Sequence, residues 1–349
     1  MSLAKITLKR GRKKRREGNE AKTFSPEDFP ENILGYGVMD RKEAMNNRAQ
    51  INERCNCDSL SPMKKEKKSH QQTPRVIAVS SGKGGVGKTN VVANLAFALG
   101  LLKKRVLVWD ADLSLANLDV LLGLTPQYTI EHLLNHQKTM QEILVQGPGG
   151  MTVLPASSGV QDLFDLNENQ KLFLLNELDE IAEMVDYLLI DTEAGISSNV
   201  LYFNMAAEES IILVTPEPTS MMDAYVLMKV LSNQYQKKRF TVLVNSARSD
   251  QEAVEVFKEI GRIVDRFSGD ISLDYLGYIP FDESLPQAVK QQKAVLEIFP
   301  NSQSSRSFFK IAQELMERPF QGYKNGNIQF FWRYLVQCYQ TTPKWGKSI

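Results

Sequence analysis

The stretch Gly82-Lys83-Gly84-Gly85-Val86-Gly87-Lys88-Thr89 decides how the rest of the chain is read. It follows the apolar run Val76-Ile77-Ala78-Val79 and opens a helical pattern of Val91, Val92, Leu95, Ala96 and Leu99. Strand, glycine-rich turn and helix in that order match the phosphate-binding loop G-x-x-x-x-G-K-[S/T]. The glycines let backbone N–H groups converge on phosphate oxygens, with a helix N-terminus behind them. Lys88 then reaches the β- and γ-phosphates, and the Thr89 hydroxyl ligates magnesium. One rival reading uses the same glycines, because Gly82-x-Gly84-x-x-Gly87 is also a dinucleotide fingerprint. Asp110 even stands where a ribose-binding acid belongs. That rival accounts for neither Lys88-Thr89 nor the second aspartate, Asp112, so a nucleoside triphosphate is favoured.

Outward from the loop, near-continuous apolar runs recur at 106–109, 187–190, 211–214 and 240–244, with amphipathic helical stretches between them. This alternation predicts an α/β fold: a doubly wound, mostly parallel sheet with helices on both faces. Ligands of such sheets bind beyond the carboxyl ends of the strands, so the polar residues ending each run matter most. The second run ends in Asp110-Ala111-Asp112, two carboxylates suited to magnesium coordination and to orienting an attacking water. The third delivers Asp191, the Walker-B arrangement, followed by Thr192-Glu193-Ala194-Gly195. Gly195 gives that loop freedom to respond to a γ-phosphate. Asn245 ends the last run, and its amide offers the donor and acceptor that adenine recognition requires. His132 and His136 have helical spacing but no carboxylate partner, and are read as ordinary surface or core histidines.

Charge divides the chain. Residues 1–74 hold 17 Lys/Arg against 10 Asp/Glu, the remainder 25 against 31. Two basic clusters, 9–16 and 64–68, flank a segment with few large apolar residues, so 1–74 is expected to be a disordered tail. It is either a solvated extension or an electrostatic tether to nucleic acid or anionic lipid. Cys55-x-Cys57 has only His70 nearby, too little for a zinc site. Three cysteines make no disulfide framework, and a reducing cytoplasm is the expectation. No apolar run is long enough to span a bilayer, and the basic N-terminus lacks the apolar core of a signal peptide. The domain reading is a tail over 1–74, a nucleotide-binding domain over 75–318 and an extension over 319–349. Within that extension Ile328, Phe331, Trp332, Leu335 and Tyr339 share one helical face of 328–340. Such a face suits interfacial membrane binding, or docking on the body.

Lys83 before the double glycine makes this loop resemble the deviant K-G-G-x-G-K-T loop of MinD/ParA-type ATPases. Further stretches are N-V-L-Y-F (199–203), T-P-E-P-T (215–219) and Y-L-G-Y-I-P-F (275–281). They are similar to the flagellar-number regulators of the FlhG/FleN (YlxH) family. The resemblance covers about 75–318 and implies an ATP- and Mg2+-dependent homodimer whose hydrolysis works as a switch. It implies that Lys83 crosses to the partner's phosphates, that Asp112 positions water with Lys88 on the γ-phosphate, and that Thr89, Asp110 and Asp191 serve magnesium. Gly82, Gly84, Gly85, Val86, Gly87 and Asn90 complete the phosphate site, while Asn245 and the loop after Pro280 hold adenine. It also implies partners: the signal-recognition-type GTPase FlhF, flagellar C-ring proteins, a flagellar transcription activator and the anionic inner face of the cell membrane. Two departures stand out. Glu193 occupies a position usually held by a small residue or proline. The family's D-Q-A-x-x-L-R motif has no clean match in 40–54. The competing function is a ParA-type ATPase for DNA partitioning or protein positioning, which the acidic body disfavours. Iron–sulfur relatives would need cluster cysteines in the body, where none occurs.

Overall fold

The computed structural model describes residues 74–112, 117–156, 168–182, 184–268 and 270–319. The expected tail, the extension with its five apolar anchors, and both cysteines of the C-x-C pair lie outside the described residues. Strand β1 (Arg75–Ser81) leads through the glycine loop into α1 (Lys88–Leu101), then β2 (Val106–Ala111). Three short helices follow: α2 (Leu118–Leu122), α3 (Ile130–Leu134) and α4 (Met140–Ile143). A small hairpin of β3 (Val145–Gln146) and β4 (Thr152–Leu154) precedes α5 (Glu168–Ala182) and β5 (Tyr187–Ala194). Next come α6 (Ser198–Ala206), β6 (Glu209–Val214), α7 (Pro218–Tyr235) and β7 (Arg239–Ala247). The described chain ends with α8 (Asp250–Ser268), β8 (Ser272–Pro280), α9 (Ser284–Lys290), α10 (Val295–Ile298) and α11 (Gln303–Glu317).

These strands form one sheet in the order β3-β4-β2-β5-β1-β6-β7-β8. Every pairing is parallel except the β3–β4 hairpin at the edge. Parallel strands buried on both faces need apolar side chains on both, and the alternation along each strand sorts them. Ile77 and Val79 of β1 point to one face, where they pack with α1 and α11. Val76 and Ala78 point to the other, among residues of α3, α5 and α6. A third cluster joins β6 and β7 to α7 and α8 through Val214, Val242, Leu227 and Ile260. Helix α1 is buried on nearly every side, which suits its apolar composition and seats the phosphate loop on a helix enclosed by the core. Trp109 of β2 is 1% exposed and meets Phe203 of α6 edge-on, with ring centroids 5.1 Å apart. Truncating either ring would cost about 3–5 kcal/mol.

Candidate nucleotide site

The site stands at the carboxyl edge of β1, β5 and β2, where the strand order reverses. Gly82 must be glycine because α7 comes too close. A Cβ there would lie 2.1 Å from the backbone carbonyl of Asp223. Gly87 has φ +92, and a Cβ would strike the Asn245 amide at 2.7 Å. That amide is already part of the loop's architecture. Asn245 Nδ2 donates to the Val86 carbonyl at 2.7 Å, while its Oδ1 is buried without a hydrogen-bond partner. The spare group is thus an acceptor, suited to an exocyclic amine such as that of adenine. Nearby, Pro280 ends β8, and the Phe281 N–H donates to Ala247 O at 2.8 Å, placing this loop beside the end of β7. The Phe281 side chain is 66% exposed there.

Lys88 folds back over the loop, with Nζ donating to Ser81 Oγ at 3.1 Å, and Ser81 Oγ donating to Lys83 O at 2.7 Å. Burial lowers the Lys88 pKa, against the opposing electrostatic pull of Asp191, Asp112 and Glu193. Asp191 is 1% exposed, and neither of its oxygens has a partner within hydrogen-bond geometry. Burial pushes its carboxyl up to about 7, and the nearby Thr89 hydroxyl and Lys88 offset this only in part. Asp110 is also pushed up to about 7 by burial, although the backbone N–H groups of Leu118 and Asp112 each donate to it at 3.3 Å. Two buried carboxyls held above their ordinary range beside a buried lysine form a site short of positive charge. Among the described residues no cluster of His, Cys, Asp and Glu could hold a metal unaided. Magnesium fits this donor set nonetheless, because it retains waters and phosphate oxygens and asks for only one or two carboxylates.

Lys83 behaves differently from Lys88. Its side chain is 37% exposed and turns away from its own loop, where Nζ is ion-paired to Glu217 and donates to Thr219 Oγ1 at 3.1 Å. Sequence reading gave those two partners no role; the signal was the T-P-E-P-T stretch, 134 residues further on. Asn90 Oδ1 accepts from Asn94 Nδ2 at 2.8 Å, and Asn94 Oδ1 accepts from Val295 N at 2.7 Å, so Asn90 is tied into the seat of α10. Glu193 Oε2 accepts from Ser197 Oγ at 3.2 Å, where Ser197 caps α6. His132 closes a capping box with Thr129, and His136 packs edge-on against Phe173. Residues 113–116, beyond Asp112, lie outside the described residues.

The fold, the deviant loop with its second lysine, and the buried aspartates at two strand ends define a MinD/ParA-type P-loop ATPase. A family model described as an AAA domain matches residues 74–243. The MinD of the Aquifex aeolicus MinC:MinD complex superimposes with a TM-score of 0.57 at 28% identity, over 72% of this chain and 98% of that one. The antiactivator FleN of Pseudomonas aeruginosa is 44% identical, over 75% of this chain and 94% of its own length. The flagellum site-determining protein YlxH of Helicobacter pylori is 31% identical, over 83% of this chain and 99% of its own. The chain belongs to the FlhG/FleN family of MinD-like ATPases involved in regulating flagellar number.

Proposed function

We propose that this ATPase is an ATP-dependent dimerisation and membrane-association switch that sets flagellar number or placement. The observation that carries the reading is Lys83. A phosphate loop needs one lysine for its own γ-phosphate, and Lys88 is in place for that. Lys83 sits at the rim instead, held by an exposed glutamate, Glu217, whose side chain is 61% accessible. An ion pair that exposed contributes little, so Lys83 is free to exchange Glu217 for the phosphates of a second copy. Thr89 and Asp191, with Asp110 behind them, would hold magnesium, which would neutralise charge developing on the transferred phosphoryl group. Asp112 would orient the attacking water. Asn245 Oδ1 would accept from the base, and the loop after Pro280 would cover it.

The dimer would double an amphipathic segment at 328–340, making the second membrane insertion effectively intramolecular. The chain would then lie peripherally on the inner face of the cell membrane when ATP-bound. A relative named as an antiactivator fits a flagellar transcription activator as partner; C-ring proteins and the GTPase FlhF would be further partners. The test pairs a genetic and a biochemical measurement. Deleting the gene should change the number or position of flagella. Lys83→Ala should retain ATP binding yet lose ATP-dependent dimerisation, measured by light scattering. Unchanged flagella with defective partition of DNA would favour the partitioning alternative, and normal dimerisation by Lys83→Ala would sink the role given to that lysine.

A further inference from the structure

Asn204 lies in the last turn of α6, at the far end of that helix from the nucleotide loop, and its amide reaches back into the sheet. Its Nδ2 donates to Ser80 Oγ at 2.7 Å and to Val200 O at 2.8 Å. Ser80 Oγ lies 2.8 Å from Thr192 Oγ1, which is 3.1 Å from Val79 O and 3.0 Å from Glu193 O. All three side chains are buried, at 0% exposure for Ser80 and Asn204 and 1% for Thr192. The protons in this chain can run only one way. Carbonyls accept, so Thr192 donates to Val79 or Glu193 and must accept from Ser80. Ser80 has then spent its single proton and accepts from Asn204. A buried chain with one polarity is cooperative and does not tolerate reversal. The Asn204 backbone is held as well, its main-chain carbonyl accepting from Ser210 Oγ at 3.2 Å and from Lys237 Nζ, while the side-chain Oδ1 is buried without a hydrogen-bond partner.

The chain ends where the β1–β5 ladder changes register. Val79 pairs with Asp191 and Ser81 with Ala194, so two residues of β1 oppose three of β5. The extra residue falls in Thr192-Glu193, and the ladder resumes with Gly195 N donating to Ser81 O at 2.9 Å. Bulges beside active sites re-aim the side chains around them. Here they set the direction of Asp191 before the bulge and of Glu193 within it. We propose that Asn204 is a positioning residue for ATP hydrolysis, clamping this bulge through Ser80 and Thr192 so that Asp191 points at the site. The inference rests on Asp191 serving magnesium.

Steady-state turnover of the full chain, with ATP and Mg2+ each titrated, tests it alongside thermal melts. Asn204→Leu removes both donors at similar volume. It should lower kcat roughly ten- to a hundredfold, as small misplacements at a site do, and raise the Mg2+ concentration for half-maximal rate. KM for ATP should stay close to the parent value, because the phosphate loop is untouched. Thr192→Val should give the same pattern, and the double variant should lose no more than the worse single one. Ser80→Ala, which removes only the middle hydroxyl, serves if Asn204→Leu does not fold. A lower Tm with kcat and Mg2+ dependence unchanged at a temperature where the variant is folded would reduce Asn204 to packing and overturn the proposal. Additive losses in the double variant would overturn it too. Asp191→Asn separates the two readings. If it abolishes Mg2+-dependent turnover while Asn204→Leu does nothing, only the clamp fails. If it leaves Mg2+ dependence intact, the role of Asp191 fails and takes the clamp with it.

Discussion

The two edges of the sheet handle charge in opposite ways. At the amino edge, charges are met within the protein. Arg75 pairs with Glu209 at 2.6 Å, Arg105 with Asp186 at 2.7 Å and Arg239 with Asp274 at 2.5 Å. Even the buried Lys237, whose pKa burial pushes down to about 7, donates to Ala207 O at 2.8 Å. Among the described residues Glu208 breaks the pattern, with one buried oxygen lacking a partner and its carboxyl pushed up to about 7 by burial. At the carboxyl edge neither Asp191 oxygen meets a donor in full hydrogen-bond geometry, with only the Thr89 hydroxyl close by, and Asn245 keeps a bare acceptor. One edge is finished by folding. The other is left with electrostatic demand that a cation and a nucleotide would meet, which is how a binding site differs from a structural ion-pair network.

Substitutions at the two edges should therefore fail in different measurements. The largest effect is expected at the carboxyl edge, where Lys88→Ala removes the buried ammonium that feels the charge of Asp191 and Asp112. Phosphate-release assays should show turnover reduced about a thousandfold, the upper range for deleting one preorganised transition-state donor. The fold should survive, since a buried charge is being removed. At the amino edge, Arg75→Met takes the paired guanidinium from Glu209, which also accepts from Thr241 Oγ1 at 3.0 Å. Breaking a largely buried pair costs about 3 kcal/mol, a fall in Tm of about 6–12 °C for a domain of this size. Turnover per folded molecule should not change; a lost kcat in Arg75→Met would erase the division between edges.

A smaller effect sharpens the same contrast through pH. Asp110 and Asp191 are raised by burial from 3.8 to about 7, so the folded state holds protons that the unfolded chain releases between about pH 4 and 7. Stability of the nucleotide-free protein should fall as pH rises through that window, because the native state binds more protons there. Asp191→Asn keeps the shape without the ionisation. It should flatten part of the slope, leaving the share due to Asp110, in chemical denaturation on either side of the window. An unaltered slope would mean that Asp191 is better solvated than its burial indicates.

How much of this was legible in the sequence follows from how locally each feature is encoded. The strands β1, β2, β5, β6 and β7 announce themselves because both faces are buried and their residues are nearly all apolar. Strand β8 does not, since it lies at the sheet edge, is half-buried over much of its length and carries Gly277 at φ +130. The loop, Asp110 and Asp191 were readable because each follows directly from its own strand. Glu217 and Thr219 were not, because they meet Lys83 only once β6 is laid beside β1. The register change at Thr192 was equally hidden, being a property of two strands in alignment rather than of either one. The position of Asn245 at a strand end marks it for base recognition. That its donor is already engaged by Val86, leaving only the acceptor, needed the folded loop.

The smallest effect is expected at Glu193, which departs from the family's pattern and is the carboxyl edge's own exception. Its carboxylate is near enough to Lys88 to raise the lysine's pKa, yet Oε2 accepts from Ser197 Oγ at 3.2 Å at the start of α6. The Ser197 bond turns part of its charge toward the helix cap, where a carboxylate is favoured by the aligned backbone dipoles. What remains competes with the γ-phosphate for Lys88. Removing it should therefore strengthen ATP binding and raise turnover by a few-fold, on the order of the 0.3–1 kcal/mol typical of a partly exposed charge near a helix end. Glu193→Ala is the cleaner substitution, because glycine would also loosen the bulge. Ser197→Ala provides the control: with the cap hydroxyl gone, the carboxylate is free to swing toward Lys88, and turnover should fall slightly. Initial rates for the two variants, with nucleotide affinity measured separately, check the pair. Opposite signs support competition for Lys88. A large loss in Glu193→Ala would instead make this carboxylate part of the hydrolytic machinery.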